Sequence, residues 1–159
     1  MSSYFFPKQT NIKKIDLTIL KKTKKNFKRI CLHDSLSDMN QEMVIYQKKL
    51  IFYPPKKYTT SDQTFFIIKG KLIIIIFNSR GKILEKFLLG KKNLLCRVKK
   101  GIYHCDIPLT KDTIHFESNN HSFKKRNVIF LKSKYLKSLN KFINKLKNEK
   151  KKSINNRRK

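Results

Sequence analysis

The apolar positions of this chain fall into three regimes. Over residues 50–117 they form short runs, separated by Gly, Pro or Asn at spacings of about 8–12 residues, the rhythm of strands rather than helices. Runs at 63–69, 71–77, 82–89, 94–98, 102–109 and 113–117, with another at 50–53 that stops at Pro54-Pro55, predict six or seven strands. The run at 71–77 holds four consecutive isoleucines, and Asn78-Ser79-Arg80-Gly81 reads as the hairpin turn behind it. Many short strands with regular punctuation indicate a mainly β sandwich or barrel.

The flanks differ. Tyr135, Leu136, Leu139, Phe142, Ile143 and Leu146 recur at steps of three and four residues, the apolar stripe of an amphipathic helix, and lysines fill the other faces. Ile15, Leu17, Ile19 and Leu20 among lysines predict a short charged helix over 15–27, after a segment, 1–11, without periodicity. Residues 33–47 read as mostly irregular, with Asp34, Ser35, Ser37 and Asp38 supplying turn chemistry. Residues 148–159 are so polar and basic that a disordered tail is expected. The expected division is an N-terminal extension with a helix packed on the barrel (1–43), the barrel (44–123), and a basic helix with its tail (124–159).

Charge changes the picture less than its size suggests. The formal net charge of +29 on 159 residues first points to a polyanionic partner. Nearly all of it is lysine, however, and the planar arginine fork suited to phosphates and base edges is scarce. Lys, Asn, Ile and Phe are abundant while Ala and Trp are absent, a composition that AT-rich codons produce without selection for a partner. A nucleic-acid role is therefore not favoured. Cys31, Cys96 and Cys105 are odd in number and widely spaced, which suggests a reducing compartment. The start, Met1 to Pro7, lacks the pattern of a secretory signal, and the central apolar run is far short of the roughly 18 residues of a membrane helix. A cytoplasmic location is the expectation, with no transmembrane segment.

The segment from Arg29 to Glu117 resembles the WbuC family of cupin-fold proteins. Ile15-Asp16 and Leu20 match that family's N-terminal helix, and Arg29 and His33 follow at comparable spacing. The first cupin motif, Pro-His-x-His, four residues, Glu, six residues, Gly, appears as Pro55-Lys56-Lys57-Tyr58, then Gln63, then Gly70. The second, Pro-x-Gly-x-x-His, appears as Lys99-Lys100-Gly101-Ile102-Tyr103-His104. Phe77 to Ile83 is similar to a Phe-Asp-x-x-Gly-x-Val segment, and Phe116-Glu117 to a Phe-Glu pair whose following Gly-Pro-Tyr is missing here. The resemblance implies a cupin-type double-stranded β-helix, or jelly-roll barrel, with a short N-terminal helix and a C-terminal amphipathic helix.

In metal-binding cupins three histidines and a glutamate converge on iron, manganese, nickel or zinc. By that resemblance the ligand positions are Lys56, Tyr58, Gln63 and His104, of which His104 alone keeps a ligand's chemistry. An ammonium repels a divalent cation, and neutral phenol and amide oxygens are poor donors beside imidazole and carboxylate. No tight metal or other cofactor is expected. Asp106 shares strand parity with His104, so both can face the interior with Lys56, Tyr58 and Gln63, whereas Cys105 points the other way. Asp106 is then a candidate counter-charge for Lys56; an unpaired Lys56 would instead favour an anionic ligand. Drift at positions that no longer bind metal is the plainer reading of the same residues.

No phosphate-cradling glycine loop, Gly-x-Ser-x-Gly elbow or close carboxylate pair accompanies these motifs. The expectation is a non-catalytic protein of the WbuC type, linked through that family to surface-polysaccharide (O-antigen) metabolism, with a small anionic or sugar-like ligand. The alternatives are a metal-dependent cupin enzyme on a sugar-like substrate, or a basic protein for nucleic acid or anionic surfaces. The resemblance also allows a homodimer.

Overall fold

A computed structural model describes residues 4–5 and 25–155, with side chains from 25 to 149. Eleven described strands and one α-helix follow in order: β1 Tyr4–Phe5, β2 Phe27–Cys31, β3 Gln41–Lys48, β4 Lys56–Tyr58, β5 Gln63–Lys69, β6 Leu72–Phe77, β7 Ile83–Leu89, β8 Leu95–Val98, β9 Tyr103–Pro108, β10 Asp112–Asn119, β11 Val128–Phe130 and α1 Lys137–Asn155.

The strands make two sheets, one in the order β1-β2-β3-β10-β5-β8 and one in the order β11-β4-β9-β6-β7. All described pairings are antiparallel except the two-residue β1–β2 contact. Without the added strands at the ends, 3-10-5-8 faces 4-9-6-7, the winding of an eight-stranded jelly roll.

Alternation along the strands divides the core into layers. Phe65, Ile67, Leu72, Ile74, Leu89 and Val98 fill one end of the space between the sheets. The opposite face of β6 and β9 presents Ile73, Ile75, Phe77, Cys105 and Ile107 to Leu139 and Ile143 of α1. The unbroken apolar run of β6 thus has a physical cause: one face looks into the roll and the other is covered by the helix. The expected stripe of α1 is the face that packs, with Leu136, Phe142 and Leu146 at its margins. On the outer face of the first sheet, Ile30, Val44, Tyr46 and Ile114 form a third buried group.

Six of the expected strands are present. The expected irregular segment over 33–47 is corrected: β3 begins at Gln41, and its polar ends, Gln41 and Gln47, are buried rather than exposed. Period-2 alternation is hard to read when inward positions are glutamines. The expected strand at 50–53 is also corrected. Leu50 has φ +61°, Ile51 N–H closes a turn onto the Lys48 carbonyl, and Leu50 and Phe52 pack on the α1 cluster without a partner strand. The helix runs to Asn155, so residues 148–155 are helical, not a tail. Residues 4–5 pair with Arg29 and Ile30, and Phe27, expected at a helix end, starts β2. The rest of the expected helix over 15–27, up to residue 24, and residues 156–159 lie outside the described residues. Since β2 and β11 are sheet strands and β3 crosses residue 44, the barrel's hydrogen bonding extends beyond 44–123 at both ends.

Candidate functional site

The polar end of the interior is assembled by register. β4 pairs with β9 so that Lys56 lies opposite His104. β5 starts at Gln63, opposite Asn119 of β10, and inward positions 115 and 117 of β10 bring His115 and Glu117 into the same space. The turn before β9 is fixed by Asp62, whose carboxylate accepts from Lys100 N–H at 3.0 Å and pairs with Lys99 at 3.5 Å. Gly101, at φ +81°, donates its N–H to the Tyr58 carbonyl at 2.7 Å, which ties that turn to β4.

Five side chains are linked in two groups. Lys56 Nζ donates to the Tyr58 hydroxyl at 3.1 Å and lies 5.0 Å from the centre of the Tyr58 ring. His104 Nε2 meets Gln63 Oε1 at 2.5 Å, and Gln63 Nε2 donates to Glu117 Oε1. The second imidazole nitrogen of His104 faces the Ile102 carbonyl at 2.9 Å. His104 therefore has an acceptor at each nitrogen, and a neutral ring can donate to only one. The Phe65 ring stands edge-on to His104 at 5.9 Å, separating the polar end from the apolar one.

The charges are strongly perturbed. Burial pushes His104 down to about 4; the Lys56 ammonium adds to this, and the Ile102 carbonyl and Glu117 only partly oppose it. Its ring is neutral at pH 7. Burial also acts against the Lys56 ammonium, but Tyr58, Glu117 and Asp106 outweigh it and hold its pKa above the ordinary lysine value. Glu117 is the converse case. Burial disfavours its ionisation, yet the His115 ring, with Nε2 at 3.9 Å, then Lys56 and Arg29, bring its pKa below the usual carboxylate range. Burial raises Asp106, against His115, while Glu117 adds to the rise.

The structure thus brings Lys56, Tyr58, Gln63, His104 and Asp106 to one end of the roll. Asp106 acts on Lys56 less strongly than Glu117 does, so the counter-charge expected at Asp106 falls mainly to Glu117. Glu117 and His115 are the site residues that sequence reasoning left out. The available signal was parity, because 115 and 117 alternate inward in the same strand. Cys105 faces α1, apart from this group, as its parity predicts.

A cavity of about 280 Å³ adjoins the cluster, between β2 and β3 on one side and β4 and β11 on the other. Lys56, Tyr58 and Glu117 line it, whereas Gln63, His104 and Asp106 do not; they are sealed behind that floor. Arg29, Lys125 and Asn119 also line it.

The donor set does not fit the divalent metal that metal-binding cupins hold. A metal ligand needs a lone pair free of a proton. Lys56 has none to offer as an ammonium, the Tyr58 oxygen receives the Lys56 proton, and His104 Nε2 is engaged by Gln63. Among the described residues no group of three His, Cys, Asp or Glu is placed to hold an ion. No described helix is long and apolar enough to cross a membrane.

No protein-family model matches this chain, and no curated protein sequence matches it. Solved structures do. CapF, a capsular polysaccharide assembling protein from Staphylococcus aureus, superposes with TM-score 0.59 at 17% identity, over 69% of this chain and 33% of that one. Oxalate oxidase with the substrate analogue glycolate gives TM-score 0.52 at 14% identity, over 69% of this chain and 57% of that one. Procruciferin, an 11S globulin of Brassica napus, gives 0.55 at 9%, over 69% and 28%. This chain spans about a third of the length of the CapF chain it matches. At these identities the likeness speaks for fold, and the fold is the mainly β jelly roll of the cupins, with a C-terminal helix packed against it.

Proposed function

We propose that this chain is a metal-free, non-catalytic cupin-fold protein of the WbuC type that binds a small anionic or sugar-like ligand in surface-polysaccharide metabolism, in the cytoplasm. The observation that carries the reading is the company of His104. The one position with a cupin ligand's chemistry lies opposite an ammonium and is hydrogen-bonded to an amide, where a metal site would supply imidazoles and a carboxylate. Loss of a single outer partner of a metal ligand typically costs about 10–100-fold in affinity. Replacement of three ligand positions, one of them by a cation, costs far more.

Two further points support the polysaccharide link. CapF, the structure with TM-score 0.59, is a capsular polysaccharide assembling protein, and the motifs at 55–70 and 99–104 resemble those of a family associated with O-antigen gene sets. His104, neutral and behind Lys56, Tyr58 and Glu117, does not line the cavity, so the one imidazole at a ligand position is not offered to a bound molecule as an acid or base.

Elemental analysis of protein purified without added metal tests the reading. Less than a tenth of an equivalent of iron, manganese, nickel or zinc is expected, on the order set by the lost ligands. A stoichiometric ion that survives dialysis against chelator would favour the metal-dependent enzyme instead.

A further inference from the structure

The cavity beside the cluster carries a narrower assignment, which rests on the metal-free binding reading above and concerns the charge of the ligand. Its walls are mainly apolar, built from Leu36, Met43, Tyr53, Phe123, Val128 and Phe130. Three of these stand open to water, with Leu36 40%, Tyr53 41% and Phe130 52% exposed. Large apolar side chains left in water around one cavity mark a contact surface. The Tyr53 ring is held there by an edge-on contact with Phe27 at 5.2 Å.

The polar side chains of the wall are mostly committed to the fold. Gln41 Nε2 donates to the Ser35 and Asp38 carbonyls, both at 2.9 Å. His33 Nδ1 is engaged with the Glu42 backbone, Glu117 Oε1 accepts from Gln63, and Arg29 has a partner of its own. Lys56 differs. One of the three hydrogens of its ammonium goes to the Tyr58 hydroxyl, and among the described residues it makes no ion pair and no second hydrogen bond.

This donor does not make an anion site. Glu117 and Asp106, both buried, already act on the Lys56 charge. A carboxylate or phosphate brought to Lys56 would meet those two groups as well as the ammonium, and would leave water to do so. Lys125, at the rim, is exposed and screened by solvent. What the Lys56 ammonium lacks is an acceptor oxygen, not a counter-ion. The volume, about 280 Å³, lies at the lower edge of the roughly 300–1,000 Å³ common for drug-sized ligands, room for a single ring.

We infer that this cavity binds an uncharged, pyranose-sized ring. One ring or hydroxyl oxygen accepts from the Lys56 ammonium, the C–H face of the ring lies on the aromatic side chains, and the other hydroxyls stay in water at the mouth. Lys56 is the link to the degraded cupin motif: the residue that bars a metal serves the ligand as a hydrogen-bond donor.

Nuclear magnetic resonance titration of the full chain tests this with the methyl pyranosides of glucose, galactose and mannose. Each is compared with its methyl uronide, in which one carboxylate replaces the CH2OH group. Saturable one-to-one binding of at least one neutral pyranoside is expected, with its uronide at least about tenfold weaker. Its affinity should change by less than about twofold between low and physiological salt, since no charge is screened. Phe130→Ala, at an exposed position, and Lys56→Met, which keeps the stem, are each expected to weaken binding about fivefold or more. Three results overturn the inference: no saturable binding of any neutral pyranoside, a uronide as tight as its neutral counterpart, or affinity unchanged in both variants. Metal content is measured separately. A metal-free protein that prefers a uronide, or binds none of the probes, sinks the inference alone, whereas a stoichiometric metal sinks the reading beneath it.

Discussion

Lys56 and His104 face each other across the β4–β9 pairing, and the imidazole is neutral partly because the ammonium is there. Of two positions that resemble the first and last ligands of a cupin metal site, the first bars a metal by its own charge and acts on the second. One side chain brings a fixed positive charge, and burial plus that charge removes the second.

Lys56 is half-buried, and Tyr58, Glu117 and Asp106 favour its ammonium. Lys56→Glu places a third carboxylate beside two buried ones and is expected to destabilise the fold by on the order of 3 kcal/mol, as when a buried charge loses its partner. Lys56→Met, which keeps the stem, is expected to cost less than the glutamate. Urea unfolding of both variants checks the order; equal and negligible effects would mean that Lys56 is merely solvated.

Stability depends on pH through His104. Its folded pKa is depressed from 6.5 to about 4, so the unfolded chain takes up a proton first as pH falls. The stabilising contribution is complete above pH 6.5 and is lost progressively down to about pH 4, with a limiting slope of about 1.4 kcal/mol per pH unit. Glu117, also depressed, adds its loss only below the ordinary glutamate value of 4.5. Chemical denaturation from pH 7.5 to 4.5 should show the decline beginning near 6.5, and His104→Gln should flatten it.

The hairpin between β6 and β7 touches the approach to α1. Gly81 adopts φ +75°, its N–H bonds the Asn78 carbonyl at 3.0 Å, and a Cβ there would lie 1.9 Å from the Tyr135 carbonyl oxygen. Gly81→Ala therefore combines a left-handed backbone with a backbone clash and is expected to cost about 1–3 kcal/mol. Thermal unfolding checks this, with Arg80→Ala, one residue away and exposed, as the control expected to be near neutral.

Helix α1 is a packing element. Leu139, 2% exposed against Ile73, Ile75 and Phe77, should cost about 2–5 kcal/mol on replacement by alanine. Lys141→Ala, on the exposed face, should cost almost nothing. Anionic-vesicle binding that survives while Leu139→Ala leaves stability untouched would instead place the stripe on a membrane.

Legibility followed the coverage of each strand. Strands β5 to β10 were readable because apolar residues and turn glycines mark them, and the stripe of α1 was readable because it packs on one side only. β3 escaped because the fold buries glutamines at 41 and 47. The run at 50–53 misled because its apolar residues serve helix packing without a strand to pair with. At the site, motif spacing brought out positions 56, 58, 63 and 104, and parity added 106. Glu117 and His115 belong to no cupin ligand position in that motif; parity could place them on one face of their strand, but that this face meets the cluster follows from the pairing of β10 between β3 and β5.

The most direct measurement restores the missing donors. In the triple variant Lys56→His, Tyr58→His, Gln63→Glu, three imidazoles and a carboxylate would share the space that the present side chains occupy. Retention of the fold is verified by circular dichroism. Titration with zinc or manganese is expected to show one equivalent bound to the variant and none to the native chain. A folded variant that binds no metal, or a native chain that binds one equivalent, would contradict the account.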